Sequence, residues 1–323
     1  MLAIRIHAFG PPDVLKLEEV PALEPGPGQL LIRIHAIGVN PVDTYIRGGG
    51  YAHPPKLPYT PGMDAAGIVE AIGPGTQTGL KVGDRVYIAR SITGTYAQFC
   101  LCEPHQAHPL PARISFAQGA GVFVPYATAY RSLFQRARAK QGEWVLVHGA
   151  SGGVGTASLQ LARAAGLRTI GTAGTPEGLE LIRREGAQHI LNHREPGYLD
   201  RIREITGYPA GGVDVVLEML ASANLEKSLG LLAMNGRIII IGSRGAIEIT
   251  PRQTMSRDSS IIGMSLHNAG PAELAELHTA IHAGLESGAL SPVVGREMPL
   301  AEAARAHELI MQPGARGKIV LLP

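Results

Sequence analysis

The sequence predicts an α/β chain of two domains: a mostly β, partly open barrel, and a parallel sheet covered by helices on both faces. Three observations predict it. Short strands broken by Gly/Pro turns run from residue 1 to about 122. The chain then alternates apolar strands (144–148, 169–172, 213–218, 237–241) with helices such as 177–185 and 224–232, a pattern that implies a parallel sheet buried on both sides. The first of those strands runs straight into a turn of small residues: Val145-Leu146-Val147-His148-Gly149-Ala150-Ser151-Gly152-Gly153-Val154-Gly155.

Each element follows from its residues. In the first region the segments 29–36, 67–73 and 84–88 alternate between turns, as half-buried strands do, and Cys100 and Cys102 share another strand. In the turn after Val147, glycines let backbone N–H groups come close to a pyrophosphate. The helix that follows, from Thr156 to a stop at Gly166, aims its positive N-terminal end at the same anion. With Ala150 at the first position of G-x-G-x-x-G, this is the first βα turn of a dinucleotide-binding fold. A helix over 271–287 comes next, and a last strand over 318–322 returns to the first region, which leaves the nucleotide domain inserted. The expected boundaries are 1–122 with 266–323 for the barrel and 123–265 for the nucleotide domain.

Composition bounds the function. A chain of 323 residues is long enough for two cores, and 45% hydrophobic with 17% charged residues is ordinary for a globular protein. A formal net charge of +2 without a block of one sign supports no polyanion-binding surface. The N-terminus lacks a secretory h-region and no apolar run is long enough to span a bilayer. Two cysteines so close on one strand suit neither a disulfide framework nor a four-ligand metal site, so a reduced, cytoplasmic protein is expected.

The cofactor is read at the end of the second strand of the nucleotide fold. An NAD-selective site places Asp or Glu there for the ribose 2′-hydroxyl. Here the strand ends Ile170-Gly171-Thr172-Ala173-Gly174-Thr175, without an acid, which leaves room for the 2′-phosphate of NADPH. Glu177 nearby has the wrong sign, so compensating charge is expected from His193-Arg194 or from Lys318.

Further stretches carry a family resemblance. They are Gly142-Glu143-x-x-Leu146-x-x-x-Ala150-Ser151-Gly152-Gly153-x-Gly155 with Gln160 and Arg163, Gly38-Val39-Asn40-Pro41-Val42-Asp43-Thr44-Tyr45-Ile46-Arg47, and Leu57-Pro58-Tyr59-Thr60-Pro61-Gly62. Gly171-Thr172-Ala173-Gly174-Thr175, Asn192-His193-Arg194-Glu195, Glu218-Met219-Leu220-Ala221 and Ile241-Gly242-Ser243-Arg244-Gly245 continue the series. Taken in order they span the chain, which resembles the zinc-independent branch of the medium-chain dehydrogenase/reductase family and, within it, the zeta-crystallin group of quinone reductases. The resemblance implies a GroES-like β-barrel domain plus an inserted Rossmann, doubly wound parallel-sheet domain, with NADPH in the cleft between them. Zinc-dependent relatives have Cys where Asn40 stands, His where Met63 stands and Cys near Val124. Asn, Met and Val do not make a catalytic zinc site, and two cysteines cannot make a four-cysteine structural site. Without that Lewis acid, reduction of an electron-poor acceptor is favoured over alcohol oxidation.

By resemblance, the cofactor contacts are Tyr45, Ser151, Gly152, Gly153, Val154, Gly174, His193, Asn224, Ile241, Gly242, Ser243, Arg244, Met264, Ser265 and Leu266. Asn40, Tyr45 and Tyr51 are the candidates for the substrate side. A tyrosine O–H there hydrogen-bonds the developing quinol oxygen, or Tyr51 packs its loop. Asp43 caps that loop. Tyr126, Thr128 and Tyr130 start the helix linking the domains. No flavin or iron–sulfur ligands are seen, which points to two-electron transfer, with one-electron transfer to a semiquinone left open. A 2-alkenal or enoyl-thioester reductase would want a basic mouth, for which Arg47, Arg90 and Arg131 are the scattered candidates. Zeta-crystallins also bind AU-rich RNA, although this chain has no basic stripe and 5% aromatic residues. The run Arg237-Ile238-Ile239-Ile240-Ile241-Gly242, expected near the end of the sheet, predicts a homodimer or homotetramer.

Overall fold

The computed structural model describes residues 1–51 and 54–323. The chain divides into two compact units: residues 1–124, 291–313 and 317–323 form one, and 125–290 with 314–316 the other.

The first unit is built on a seven-stranded, mostly antiparallel sheet. The strands lie in the order Val294–Pro299, Lys318–Leu322, Leu30–Val39, Asp64–Ile72, Arg85–Ala89 and Ala107–Pro109, and Phe99–Cys102 also pairs with Leu30–Val39. Alternation places Leu30, Ile32 and Ile34 inward, where they meet Val69, Val86, Ile88, Tyr96 and Cys100 in one core. Asn40 follows the long Leu30–Val39 strand, and Pro41 at the first helical position starts the short Pro41–Arg47 helix.

The second unit holds six parallel strands in the order His189–Asn192, Arg168–Ala173, Trp144–Val147, Val213–Glu218, Leu232–Ile240, Ser260–Gly263. Numbered along the chain this is 3-2-1-4-5-6, the doubly wound dinucleotide-binding order. Strand Trp144–Val147 is buried throughout, as a strand covered on both faces must be.

Two expectations are corrected. Residues up to Leu290 belong to the nucleotide unit, not the barrel. The Pro271–Ser287 helix is held there by Arg131, which donates to Glu273 at 2.9 Å, and by Tyr130, which donates to Glu276 at 2.9 Å. The Arg237–Gly242 run is not at the sheet edge. Ile238 and Ile239 are fully buried between Val213–Glu218 and Ser260–Gly263, and Ser260–Gly263 is the edge strand.

Candidate functional site

The cofactor candidates of the nucleotide unit gather at the carboxyl ends of its strands, where open α/β sheets bind ligands. Ser151, Gly152, Gly153 and Val154 follow Trp144–Val147; Gly174 follows Arg168–Ala173; His193 follows His189–Asn192. Asn224 lies on the helix after Val213–Glu218. Ile241 to Arg244 follow the fifth strand, and Met264 to Leu266 the sixth.

The glycine turn is built by close packing. Ala150 N–H donates to the Thr172 carbonyl at 2.8 Å and Gly149 N–H to Thr172 Oγ1 at 3.3 Å, so the second strand fixes the turn. The helix begins at Gly153, three residues before the expected Thr156, and Gly152 caps it without a side-chain bond. Its first-turn N–H groups therefore have no partner within the helix, the arrangement that suits an anion. A Cβ on Gly155 would lie 2.5 Å from Ala150 Cα, so only glycine lets helix and turn meet.

At the second strand, Gly174, His193 and Arg194 come together: a Cβ on Gly174 would sit 2.6 Å from His193 Nε2 and 2.9 Å from Arg194 Nε. Partial burial and the Arg194 charge lower the His193 pKa from its ordinary value. The 314–316 segment folds over the same place: a Cβ on Gly152 would lie 3.7 Å from Ala315 Cβ, and one on Gly314 3.5 Å from Thr175 Cγ2. The exposed Arg316 on this segment was missed in the sequence. Lys318, named there instead, is buried at 3% exposure in the other unit and bonded to Asp64 at 2.7 Å, so it is no phosphate ligand.

Asn224 is held from below. Its Nδ2 donates to Glu218 Oε1 at 3.1 Å, and Ser228 Oγ donates to Glu218 Oε2 at 3.2 Å. His148 Nε2 lies 3.2 Å from Ser228 Oγ. Burial keeps the His148 imidazole below its ordinary range, against the pull of Glu218.

In the barrel unit, Asn40 caps the Pro41–Arg47 helix that carries Tyr45. Its amide is 2% exposed and sits in a polar cluster. Asn40 Nδ2 donates to Asp64 Oδ2 at 3.1 Å, and Lys318 Nζ donates to Asn40 Oδ1 at 2.5 Å. Asp43 accepts from Asn40 N–H at 2.8 Å and from Tyr96 Oη at 3.3 Å. Burial pushes its carboxyl up to about 7. Tyr96 Oη also meets His307 Nε2 at 3.0 Å, and burial takes His307 down to about 3. Tyr45 and Tyr51 are half-buried, and Tyr51 is close enough to Arg90 to act on its charge. Arg90 itself takes a left-handed φ of 71°.

Several sequence candidates turn out structural. Tyr126 is 1% exposed and donates to Gln160 at 2.6 Å. Arg47 and Arg131 are 8% and 5% exposed, and Arg131 bonds Glu273 and the Asn268 carbonyl, whereas Arg90 is half-buried. Among the described residues no three His, Cys, Asp or Glu side chains group as metal ligands.

The barrel segment and the nucleotide-binding segment each match a known family. Residues 26–135 match the alcohol dehydrogenase GroES-like domain and residues 153–283 the zinc-binding dehydrogenase family. A human protein named quinone oxidoreductase is 49% identical over 324 aligned positions, covering 100% of this chain and 98% of its own length. Quinone oxidoreductase 1 of Escherichia coli is 34% identical, covering 99% of each. The solved structure of an Escherichia coli quinone oxidoreductase in complex with NADPH superposes with a TM-score of 0.88 at 33% identity over 100% of both chains. A mycobacterial structure complexed with NADPH gives 0.90, also at 33% identity over 100% of both chains. The chain belongs to the medium-chain dehydrogenase/reductase family. Within it, relatives similar over the whole length include proteins named quinone oxidoreductase.

Proposed function

We propose that this chain is an NADPH-dependent quinone reductase that works without zinc. The observation that carries the reading is full-length similarity, at 49% identity, to curated quinone oxidoreductases. The site fits the cofactor: a helix start whose first N–H groups have no partner within the helix, no carboxylate at the end of the Arg168–Ala173 strand, and Arg194 beside Gly174. NADPH supplies the hydride when bound. The protein orients the partners and stabilises charge.

Ser151 to Val154 hold the pyrophosphate, and Gly174, His193, Arg194 and Arg316 the phosphorylated ribose. Asn224, Ile241 to Arg244, Met264 to Leu266 and Tyr45 complete the cofactor contacts. On the substrate side Asn40, Tyr45 and Tyr51 donate hydrogen bonds to the quinone oxygen as it gains negative charge. Of the three arginines a basic mouth for an acyl-thioester would use, Arg47 and Arg131 are buried and Arg90 is half-buried, which favours the quinone.

The protein is read as a homodimer or homotetramer, with subunits joined through the Ser260–Gly263 edge, whose Ile261 and Ile262 are only half-buried. It is placed in the cytoplasm, which suits its two buried free cysteines. No helix among the described residues is long and apolar enough to cross a membrane.

The test is NADPH oxidation at 340 nm with an ortho-quinone, with and without a chelator, repeated with NADH. Turnover that prefers NADPH and ignores the chelator is expected. Tight NADPH binding without quinone turnover would overturn the substrate, and a preference for NADH would overturn the ribose pocket.

A further inference from the structure

The barrel unit buries a complete ion pair around one amide. Lys318 opens the Lys318–Leu322 strand, which pairs with Leu30–Val39 through Ile319–Val39 and Val320–Gly38. Its ammonium meets Asn40 Oδ1 and Asp64 Oδ2 at 2.5 and 2.7 Å. Asp64 is 1% exposed, and its other oxygen accepts Val124 N–H at 3.0 Å. Room for the lysine stem exists only because residue 38 is glycine: a Cβ there would lie 2.6 Å from Lys318 Cε and 2.0 Å from the Ala120 carbonyl.

A buried ion pair is weak as a source of stability, since apolar groups of similar size do as well or better. What this pair does is orient Asn40. An ammonium only donates and a carboxylate only accepts, so Oδ1 must face Lys318 and Nδ2 must face Asp64. One Nδ2 proton goes to Asp64 at 3.1 Å. Among the described residues the other has only the Gly38 carbonyl, at a long 3.4 Å. A cation on the amide oxygen draws electron density from the nitrogen and strengthens that remaining N–H as a donor.

We propose that Lys318 is a positioning residue of quinone reduction, which acts through Asn40 by orienting and polarising its amide so that the second Nδ2 proton bonds the quinone oxygen as hydride arrives. The inference rests on the reading of Asn40 as a substrate contact. The electron pair of the hydride enters the quinone, the negative charge develops on its oxygen, and water supplies the proton that completes the quinol. Asn40 stabilises the charge and transfers no proton.

The test is a double-mutant cycle in the full-length protein. Its arms are Asn40→Ala, the charge-neutral pair Lys318→Met with Asp64→Asn, and all three together. Each is read by kcat and KM with an ortho-quinone, by NADPH affinity from its fluorescence, and by the melting temperature. Asn40→Ala is expected to lower kcat about 10- to 100-fold, somewhat less than loss of an oxyanion-hole donor, with NADPH affinity unchanged. The neutral pair is expected to lower kcat by a similar factor and the triple variant hardly further, because both act through one amide. Lys318→Arg with Asp64 intact should recover most of the rate. If the Met pair does not fold, Lys318→Gln with Asp64→Asn keeps the polar contacts and reads the loss of charge alone. A wild-type kcat in Asn40→Ala would sink the substrate-contact reading itself. A loss in Asn40→Ala beside a wild-type kcat in the folded neutral pair, or losses that multiply in the triple variant, would overturn the role of Lys318 alone.

Discussion

Asp43 gives the sharpest test of the buried polar core. It is 2% exposed, Oδ2 takes Asn40 N–H and Tyr96 Oη, and Oδ1 has no hydrogen-bond partner among the described residues. Burial is the main cause that lifts its carboxyl from 3.8 to about 7; Asp64 pushes the same way, while the Asn40 N–H, Lys318 and Tyr96 oppose it. The folded state thus binds this proton more tightly than the unfolded chain does. The stability it contributes is fully present below the unfolded value near 3.8 and is lost as pH rises through about 7. At about 1.4 kcal/mol per tenfold change in proton affinity, the loss is about 4 kcal/mol. Asp43→Asn is neutral at every pH and keeps an oxygen acceptor for Asn40 N–H. The variant and the parent should therefore melt together at about pH 3, below the unfolded value. Near pH 8 the variant should melt higher, by roughly 5–10 °C for a chain of this size. Thermal unfolding followed by circular dichroism across that range reads the difference directly, because other titrating groups are common to both proteins. Parallel curves at all pH values would refute a carboxyl held protonated by burial.

Three further outcomes follow from the geometry. Gly155→Val drives a side chain against Ala150, where even a Cβ would stand 2.5 Å from Cα, and should cost about 1–3 kcal/mol of stability together with NADPH affinity, read by melting and fluorescence titration. Arg194→Ala and Arg316→Ala remove exposed charges worth about 1 kcal/mol each, so each should weaken NADPH roughly fivefold and leave NADH unchanged; equal losses for both cofactors would remove them from the 2′-phosphate. Cys100 and Cys102 are buried, with burial raising the first thiol well above its ordinary range and the second to about 12, so neither should react with a thiol reagent at pH 8 until the protein unfolds.

The turn at Gly149–Gly153 was legible in the sequence because its chemistry is local: spacing, small side chains and the helix that follows are neighbours along the chain. The missing acid at Ala173–Thr175 was legible for the same reason, as one strand end decides it. The helix boundary was less so. Glycine lowers helix propensity, so the first turn at Gly153 reads as loop until packing against Ala150 holds it in place. The domain boundary after residue 265 was misplaced because what decides it is long-range. Arg131 and Tyr130 reach the Pro271–Ser287 helix across more than 140 residues of sequence, and no local pattern carries that.

Lys318 shows where sequence reasoning reaches its end. In the sequence it stands two residues beyond Arg316, and either could serve a phosphate. The structure separates them because the chain enters a strand between the two. Arg316 remains exposed beside the glycine turn, and Lys318, first in the strand, is buried with Gly317 preceding it at φ 58°. Which cation faces solvent is thus set by a strand start and by the gap that Gly38, 280 residues earlier, leaves for the lysine stem. The same two facts turn a surface charge into a buried partner of Asn40 and Asp64. A basic residue near a predicted ligand site gains a role only once the pairing partner of its strand is known, and here that partner is the strand that leads into Asn40.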